Sequence, residues 1–438
     1  MRRLFFLAFV LFCIHACNTE KKPIENFNSL AENYVRLGLT IGQYDADFVD
    51  AYYGPDSLKP KATKNPSFPK DSLLAAVDAL QQECKKYTDS SQNNDTLRTR
   101  AHWMSKQLAA FRERIKVFSG NFSSFNEESK QLFSVEPPIY TEAHFRSLVG
   151  QLDSILPGSG AIPARMQSLS KKFIIPKEKV DTVFKTAIEE ARKRTLAQYK
   201  MPANESFVLE YVNNKPWSGY NWYKGNYQSV IQINLDLPIL IDRAIDLACH
   251  EGYPGHHVYS MLLEKNLYRD KGWVEISLYP LYSPQSLIAE GSANYGIEMS
   301  FPGNEAAAFA RTVLMPLAGL NTAQVDLYFE TLSLKSRLNY ARNEAARGLL
   351  NGTMTEGEAL RWLTDYCLMS NEVAAKSISF IRKHRSYVIC YNYGQDLVRN
   401  YIESKGSIPS APEKRWELFG WLLSNPITPT DLLKGKNL

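Results

Sequence analysis

Apolar residues recur every three to four positions over most of the chain, a spacing that predicts amphipathic helices rather than strands. The stretch "DSLLAAVDALQQECKKY" (71–87) has an aspartate at its start as a cap and one apolar stripe. "DTLRTRAHWMSKQLAAFRERIKVF" (95–118) and "PKEKVDTVFKTAIEEARKRTLAQY" (176–199) repeat the pattern at greater length. The stripes are interrupted by segments rich in Pro, Ser, Gly and Asn at 53–71, 91–95 and 156–163, which read as loops.

Between 206 and 240 the pattern changes to β-branched and aromatic residues. "SFVLEYV" and "YQSVIQINLD" predict two strands separated by "NNKPWSGYNWYKGN". In the second run Gln228, Val230, Gln232 and Asn234 share one face, and Tyr227, Ser229, Ile231 and Ile233 the other. From 238 helical spacing resumes through "EAAAFARTVLMPLAGL", "AQVDLYFETLSLKSRLNYARNEAARGLL" and "TEGEALRWLTDYC". The fold expected is mainly α: a large multi-helix body with a small β-sheet just before residue 250. Two closely packed lobes are expected, one over 26–205 and one over 206–438.

The first residues stand apart. Met1-Arg2-Arg3 is a basic start and Leu4 to Ile14 an apolar run that suits an export signal but is too short to span a bilayer. "IHAC" resembles the bacterial lipobox, so a signal peptide over 1–16 is expected, with Cys17 the lipidated residue and 17–25 a linker. No later apolar run reaches the roughly 20 residues a spanning helix needs, so the expected attachment to the bacterial envelope is a lipid anchor alone.

Composition narrows the class further. With 438 residues, 44% hydrophobic and 22% charged, the chain can build a large core. A formal net charge of +5 without a basic tract argues against nucleic acid as a partner. Beyond Cys17 the cysteines, 84, 249, 367 and 390, form no C-x-x-C pair, so no zinc ribbon is expected. Buried free thiols and a single disulfide both remain open.

The densest chemistry lies in "ACHEGYPGHHVY" (248–259), which holds three of the seven histidines. In H-E-x-x-H, histidines at i and i+4 share a helix face and can direct their nitrogens at one zinc ion, while the adjacent glutamate reaches the attacking water. Here His250 and Glu251 supply the first half, but the second histidine position is Pro254. On an unbroken helix His256 would stand about 240° round from His250, and His257 about 10 Å further along the axis. Pro254 cannot donate to the His250 carbonyl and Gly255 tolerates unusual backbone paths, so "PG" reads as an insertion that re-aims the histidines after it. His256 is the second metal ligand if the break absorbs two residues, and His257 if it absorbs three. Glu290, after the apolar run Leu287-Ile288-Ala289 and before Gly291, Ser292 and Ala293, is the candidate third ligand, with Glu298 in reserve. Tyr391 and Tyr393 are candidate hydrogen-bond donors to an oxyanion, and Gln232 and Asn234 candidate substrate contacts on a strand that could pair with an extended peptide.

"HEGYPGHHVY", followed by "AEGSANYGIE" and by "RSYVICYNYGQDLV" near 385–398, resembles the signature segments of the bacterial domain of unknown function 885 family, over most of the exported chain. That resemblance implies a mostly helical, zincin-like metallopeptidase. "EGSANYGIE" is also similar to the E-G-A-N-P-G-F-H-E segment of angiotensin-converting-type dipeptidases, in which the second glutamate binds zinc. Ser292 stands where many family members have tryptophan, and the second glutamate comes one residue later than usual. The function expected is a zinc-dependent hydrolase, a metallopeptidase of carboxypeptidase or dipeptidase type acting on peptides, with Glu251 as general base. The alternative is a non-catalytic zinc- or peptide-binding surface lipoprotein, against which Glu251 argues, because storing metal needs no base. Hydrolysis of a non-peptide amide or ester at the same residues also remains open.

Overall fold

The computed structural model describes residues 21–61, 64–89, 94–215, 217–405 and 411–435. The expected signal peptide and Cys17 lie outside them. No helix among the described residues is long and apolar enough to cross a membrane.

Helices dominate, as the periodicity predicts. Lys70–Thr88 packs against Asp95–Phe118. The second of these begins where the Asn94 side chain accepts a hydrogen bond from the Leu97 N–H, a standard way to satisfy a free helix-end donor. Asp71 proves to be inside the first turn of its helix rather than its cap, because the helix starts one residue earlier, after Pro69. "AQVDLYFETLSLKSRLNYARNEAARGLL" forms two helices, Val325–Arg337 and Tyr340–Leu350, and Thr355 closes a capping box with Glu358 at the start of Glu356–Asp365. The cysteines Cys84, Cys249, Cys367 and Cys390 are all buried and free.

Strands β1 (Val49–Tyr52), β2 (Ser206–Val212), β3 (Gly219–Gly225), β4 (Gln228–Asn234) and β5 (Leu278–Pro280) make two small sheets. β1 pairs with β5. The other sheet runs β2-β4-β3, with β2 parallel to β4 and β3 antiparallel. This sheet differs from the expected one in two respects. "NNKPWSGYNWYKGN" contains a strand, β3, whose Gly, Asn and Lys content hid the alternation of its residues. β4 is therefore the central strand, and β2 and β3 are the edge strands.

The hydrophobic core is one contiguous cluster that draws on both sides of residue 205. Its middle is the helix Pro284–Ser300, buried around most of its circumference, polar residues included. It lies along Ile389–Ser404 at very close range. A Cβ on Gly291 would stand 2.3 Å from the Gly394 carbonyl oxygen, so glycine is required at this crossing. That contact fixes the face of Pro284–Ser300 that carries Glu290 against the face of Ile389–Ser404 that carries Tyr391.

Candidate metal centre

The helix Ile241–Leu247 widens over Ala248–Gly252 into a π turn, in which the Tyr253 N–H donates to the Ala248 carbonyl at 3.0 Å, one residue further back than in an α-helix. Pro254, joined to Tyr253 by a cis peptide, has no N–H to give. The Gly255 N–H instead reaches the Cys249 carbonyl at 2.9 Å, and helix resumes over His256–Leu263. The wide turn and the three-residue bend together use up the surplus spacing that separates H-E-G-Y-P-G-H from H-E-x-x-H. Gly255 passes so near the incoming helix that a Cβ there would lie 1.9 Å from the His250 oxygen. The Pro254 ring is turned onto Gly296 of the Pro284–Ser300 helix.

This path sets the His256 Nε2 3.1 Å from the His250 Nε2. Glu290 Oε2 lies 3.4 Å from the His250 Nε2 and 3.7 Å from the His256 Nε2. Among the described residues these three are the group whose donor atoms could hold a metal ion. The circle through the three atoms has a radius of about 2.0 Å, the length of a Zn–N or Zn–O bond. Tetrahedral zinc with bonds of that length keeps its ligand atoms about 3.3 Å apart, close to the middle of the three separations. Glu290 Oε2 is buried and has no hydrogen-bond donor of its own, a costly state for a carboxylate that a cation would relieve. The donor set therefore fits zinc.

The surroundings prepare these atoms. Asn294 gives its Nδ2–H to the Tyr391 carbonyl at 2.8 Å, so its Oδ1 accepts the His250 Nδ1–H at 3.0 Å. The proton is thereby kept on Nδ1, and the lone pair of Nε2 faces Glu290 and His256. The Tyr387 hydroxyl donates to Glu290 Oε1 at 3.0 Å and orients the other oxygen inward. Burial alone would raise the Glu290 pKa, but the two facing imidazoles hold it well below the usual carboxylate range. Burial lowers and the Glu290 and Glu251 carboxylates raise the His250 pKa, with a net increase.

A cleft of about 620 Å³ opens onto this cluster, lined by β1, β3 and several helices. Glu251 faces it, with its backbone oxygen held by Asn221 of β3 at 2.7 Å. Tyr391 also lines it. Asp50, from β1, enters from the opposite part of the chain and accepts a hydrogen bond from Tyr220. Burial pushes the Asp50 carboxyl up to about 6, opposed by Tyr220 and His256.

Several expected residues are elsewhere. His257 is fully buried behind the bend, where its Nε2–H donates to Glu205 Oε1 at 2.9 Å and its Nδ1 accepts from the Ser229 hydroxyl at 2.8 Å. Both its nitrogens are used, and it does not join His250. Glu298 faces away, paired with Arg399 and accepting from Gln395 Nε2 at 3.2 Å, because eight residues carry it about 80° round the helix from Glu290. Tyr393 does not line the cleft; two residues turn it about 200° from Tyr391. Gln232 binds Trp222 and Glu210, and Asn234 binds the Lys215 and Trp217 carbonyls, all within or beside the sheet. The edge that faces the cleft belongs to β3 instead.

Asp50, Tyr220, Glu205, Asn294 and Tyr387 were not foreseen. Asp50 and Glu205 lie too far along the chain for any pattern to link them to the histidines. Asn294 and Tyr387 are each four residues from a named candidate, Glu290 and Tyr391, and that spacing was a usable signal.

No family model matches the sequence, and no curated protein matches it significantly. Among solved structures, a candidate lipoprotein from Colwellia psychrerythraea matches 82% of this chain with a TM-score of 0.54 at 14% identity, and the chain spans 65% of that protein's length. A candidate lipoprotein of unknown function from Shewanella oneidensis matches 81% of this chain and 72% of its own, with a TM-score of 0.44 at 13% identity. The M32 carboxypeptidase from Deinococcus radiodurans R1 matches over 94% of both chains, with a TM-score of 0.40 at 12% identity. The Colwellia protein thus shares the overall fold of this largely helical chain.

Proposed function

We propose that the chain is a zinc-dependent hydrolase acting on peptides, with His250, His256 and Glu290 holding the metal and Glu251 as general base. The observation that carries this reading is the trio of converging donor atoms 3.1, 3.4 and 3.7 Å apart, with one carboxylate oxygen buried and undonated. Zinc bound there would act as a Lewis acid on water and on a substrate carbonyl. Glu251, beside His250 at the cleft wall, takes the proton of the attacking water and passes it to the leaving amine. Tyr391, facing the same space, is placed to donate to the oxygen that becomes negative. The free edge of β3 offers backbone groups to an extended peptide. The segments that resemble the domain of unknown function 885 family support the same reading. The "IHAC" segment supports export with a lipid anchor at Cys17, and the Colwellia protein of this fold is itself described as a candidate lipoprotein, in keeping with that.

Glu251→Gln tests the assignment. It should keep the metal and the fold and lose hydrolysis by about 100-fold or more, because the amide has the shape of the acid but cannot accept the proton. Turnover near the wild-type rate would move the base elsewhere, and an inactive wild type on a broad peptide mixture would favour a binding protein.

A further inference from the structure

Three basic side chains line the cleft, and two of them are neutralised. Arg243 pairs with Asp246, and Lys383 lies 2.9 Å from Asp47. The imidazole of His384, also in the cleft wall, is pushed down to about 4 by burial, and its Nδ1 accepts from the Tyr282 hydroxyl at 2.8 Å. Arg342 differs. Among the described residues no carboxylate pairs with it, and its Nε is buried without an acceptor. Its guanidinium lies 4.6 Å over the Phe380 ring, and burial lowers its pKa while Tyr391 and Cys367 oppose that. A guanidinium does not give up its proton in proteins, so this is a standing positive charge, partly desolvated, whose donors lack acceptors.

Its place is defined by a row of rings. Tyr387, which holds Glu290, is 5.7 Å from Tyr391; Tyr391 is 6.4 Å from Phe380; and Phe380 lies under Arg342. Arg342 thus stands at the far end of a row of three rings that begins at the Glu290 carboxylate, in the wall of the same cleft. A planar fork of donors with no partner, on an aromatic floor, matches the two oxygens of a carboxylate.

Resting on the hydrolase reading above, we infer that Arg342 binds the free α-carboxylate of the substrate, so that cleavage occurs near the C-terminus of peptides and the leaving residue lies over Phe380 and Tyr391. An enzyme built to pair that carboxylate leaves its guanidinium partly buried and unpaired when the carboxylate is missing, and this penalty supplies the selectivity.

The test uses acetyl-Ala-Ala-Phe, its C-terminal amide, and acetyl-Ala-Ala-Asp-amide, with wild-type, Arg342→Met and Arg342→Lys chains loaded with zinc. Wild type should cleave the free acid about 100-fold more efficiently than either amide. Arg342→Met should lose most of that advantage with unchanged zinc content and melting temperature, and Arg342→Lys should restore part of it. Equal cleavage of acid and amide by wild type, or undiminished preference in Arg342→Met, would overturn the inference. Preference for the Asp-containing amide would also overturn it, by assigning the guanidinium to a side-chain carboxylate. If wild type cleaves none of the three, the hydrolase reading fails separately. Calorimetry with the same peptides then decides the anchor: about tenfold tighter binding of the free acid, lost in Arg342→Met, upholds it, and equal binding refutes it.

Discussion

Replacing Glu205 with Gln should destabilise the chain although Glu205 touches neither the proposed metal ligands nor the cleft. Its carboxylate is buried and gathers three donors: the His257 Nε2–H at 2.9 Å, the Tyr253 hydroxyl, and Arg192 at 2.9 Å. Tyr253 and His257 stand on either side of the Pro254-Gly255 bend, so one carboxylate ties the two ends of the segment that delivers His256. Burial would raise the Glu205 pKa, but these donors hold it at about 2, against an ordinary 4.5. Because the folded value lies below the unfolded one, the stabilisation is fully present above about pH 5 and is lost as pH falls towards 2. The difference corresponds to about 3 kcal/mol at pH 7. Glutamine keeps one acceptor oxygen but neither the charge nor the second acceptor, so most of that should disappear. Urea unfolding of the metal-free chains, followed by tryptophan fluorescence, should show the variant about 3 kcal/mol less stable at pH 7 and roughly half as much less stable near pH 3. A difference below about 0.5 kcal/mol at pH 7, or one that does not shrink with acid, would refute the view that this carboxylate anchors the bend.

Two further substitutions probe how the donors are aimed. Gly255→Ala would force a Cβ to within 1.9 Å of the His250 oxygen; relaxing that overlap should cost about 1–3 kcal/mol in thermal or urea unfolding and weaken zinc binding by displacing His256. Asn294→Ala removes the acceptor that keeps the proton of His250 on Nδ1, and zinc affinity measured by competition with a chelator should fall about 10- to 100-fold with the fold intact; an unchanged affinity would mean the tautomer is set by something else.

The helical class was legible because apolar spacing is a property of each segment by itself. The break at Pro254 was legible for the same reason, since a missing N–H acts locally. The choice between His256 and His257 was not, because it depends on how a π turn and a bend share the surplus residues, and on Glu205, some 50 positions away, claiming His257. β3 was hidden because a strand lining a polar cleft carries Gly, Asn and Lys where a core strand carries Val and Ile. The burial of Glu290 was readable from its apolar flanks, and helical spacing, applied strictly, turns Glu298 away from Glu290 and Tyr393 away from Tyr391.

The central claim is that His250, His256 and Glu290 form one metal site. Zinc content after loading and exhaustive dialysis, measured by elemental analysis of wild type and of His250→Ala, His256→Ala, His257→Ala and Glu290→Gln, tests it directly. About one zinc per wild-type chain, lost in the first two variants and in Glu290→Gln but kept by folded His257→Ala, is the result the account predicts. Full retention of zinc by His256→Ala, or its absence from wild type, would contradict it.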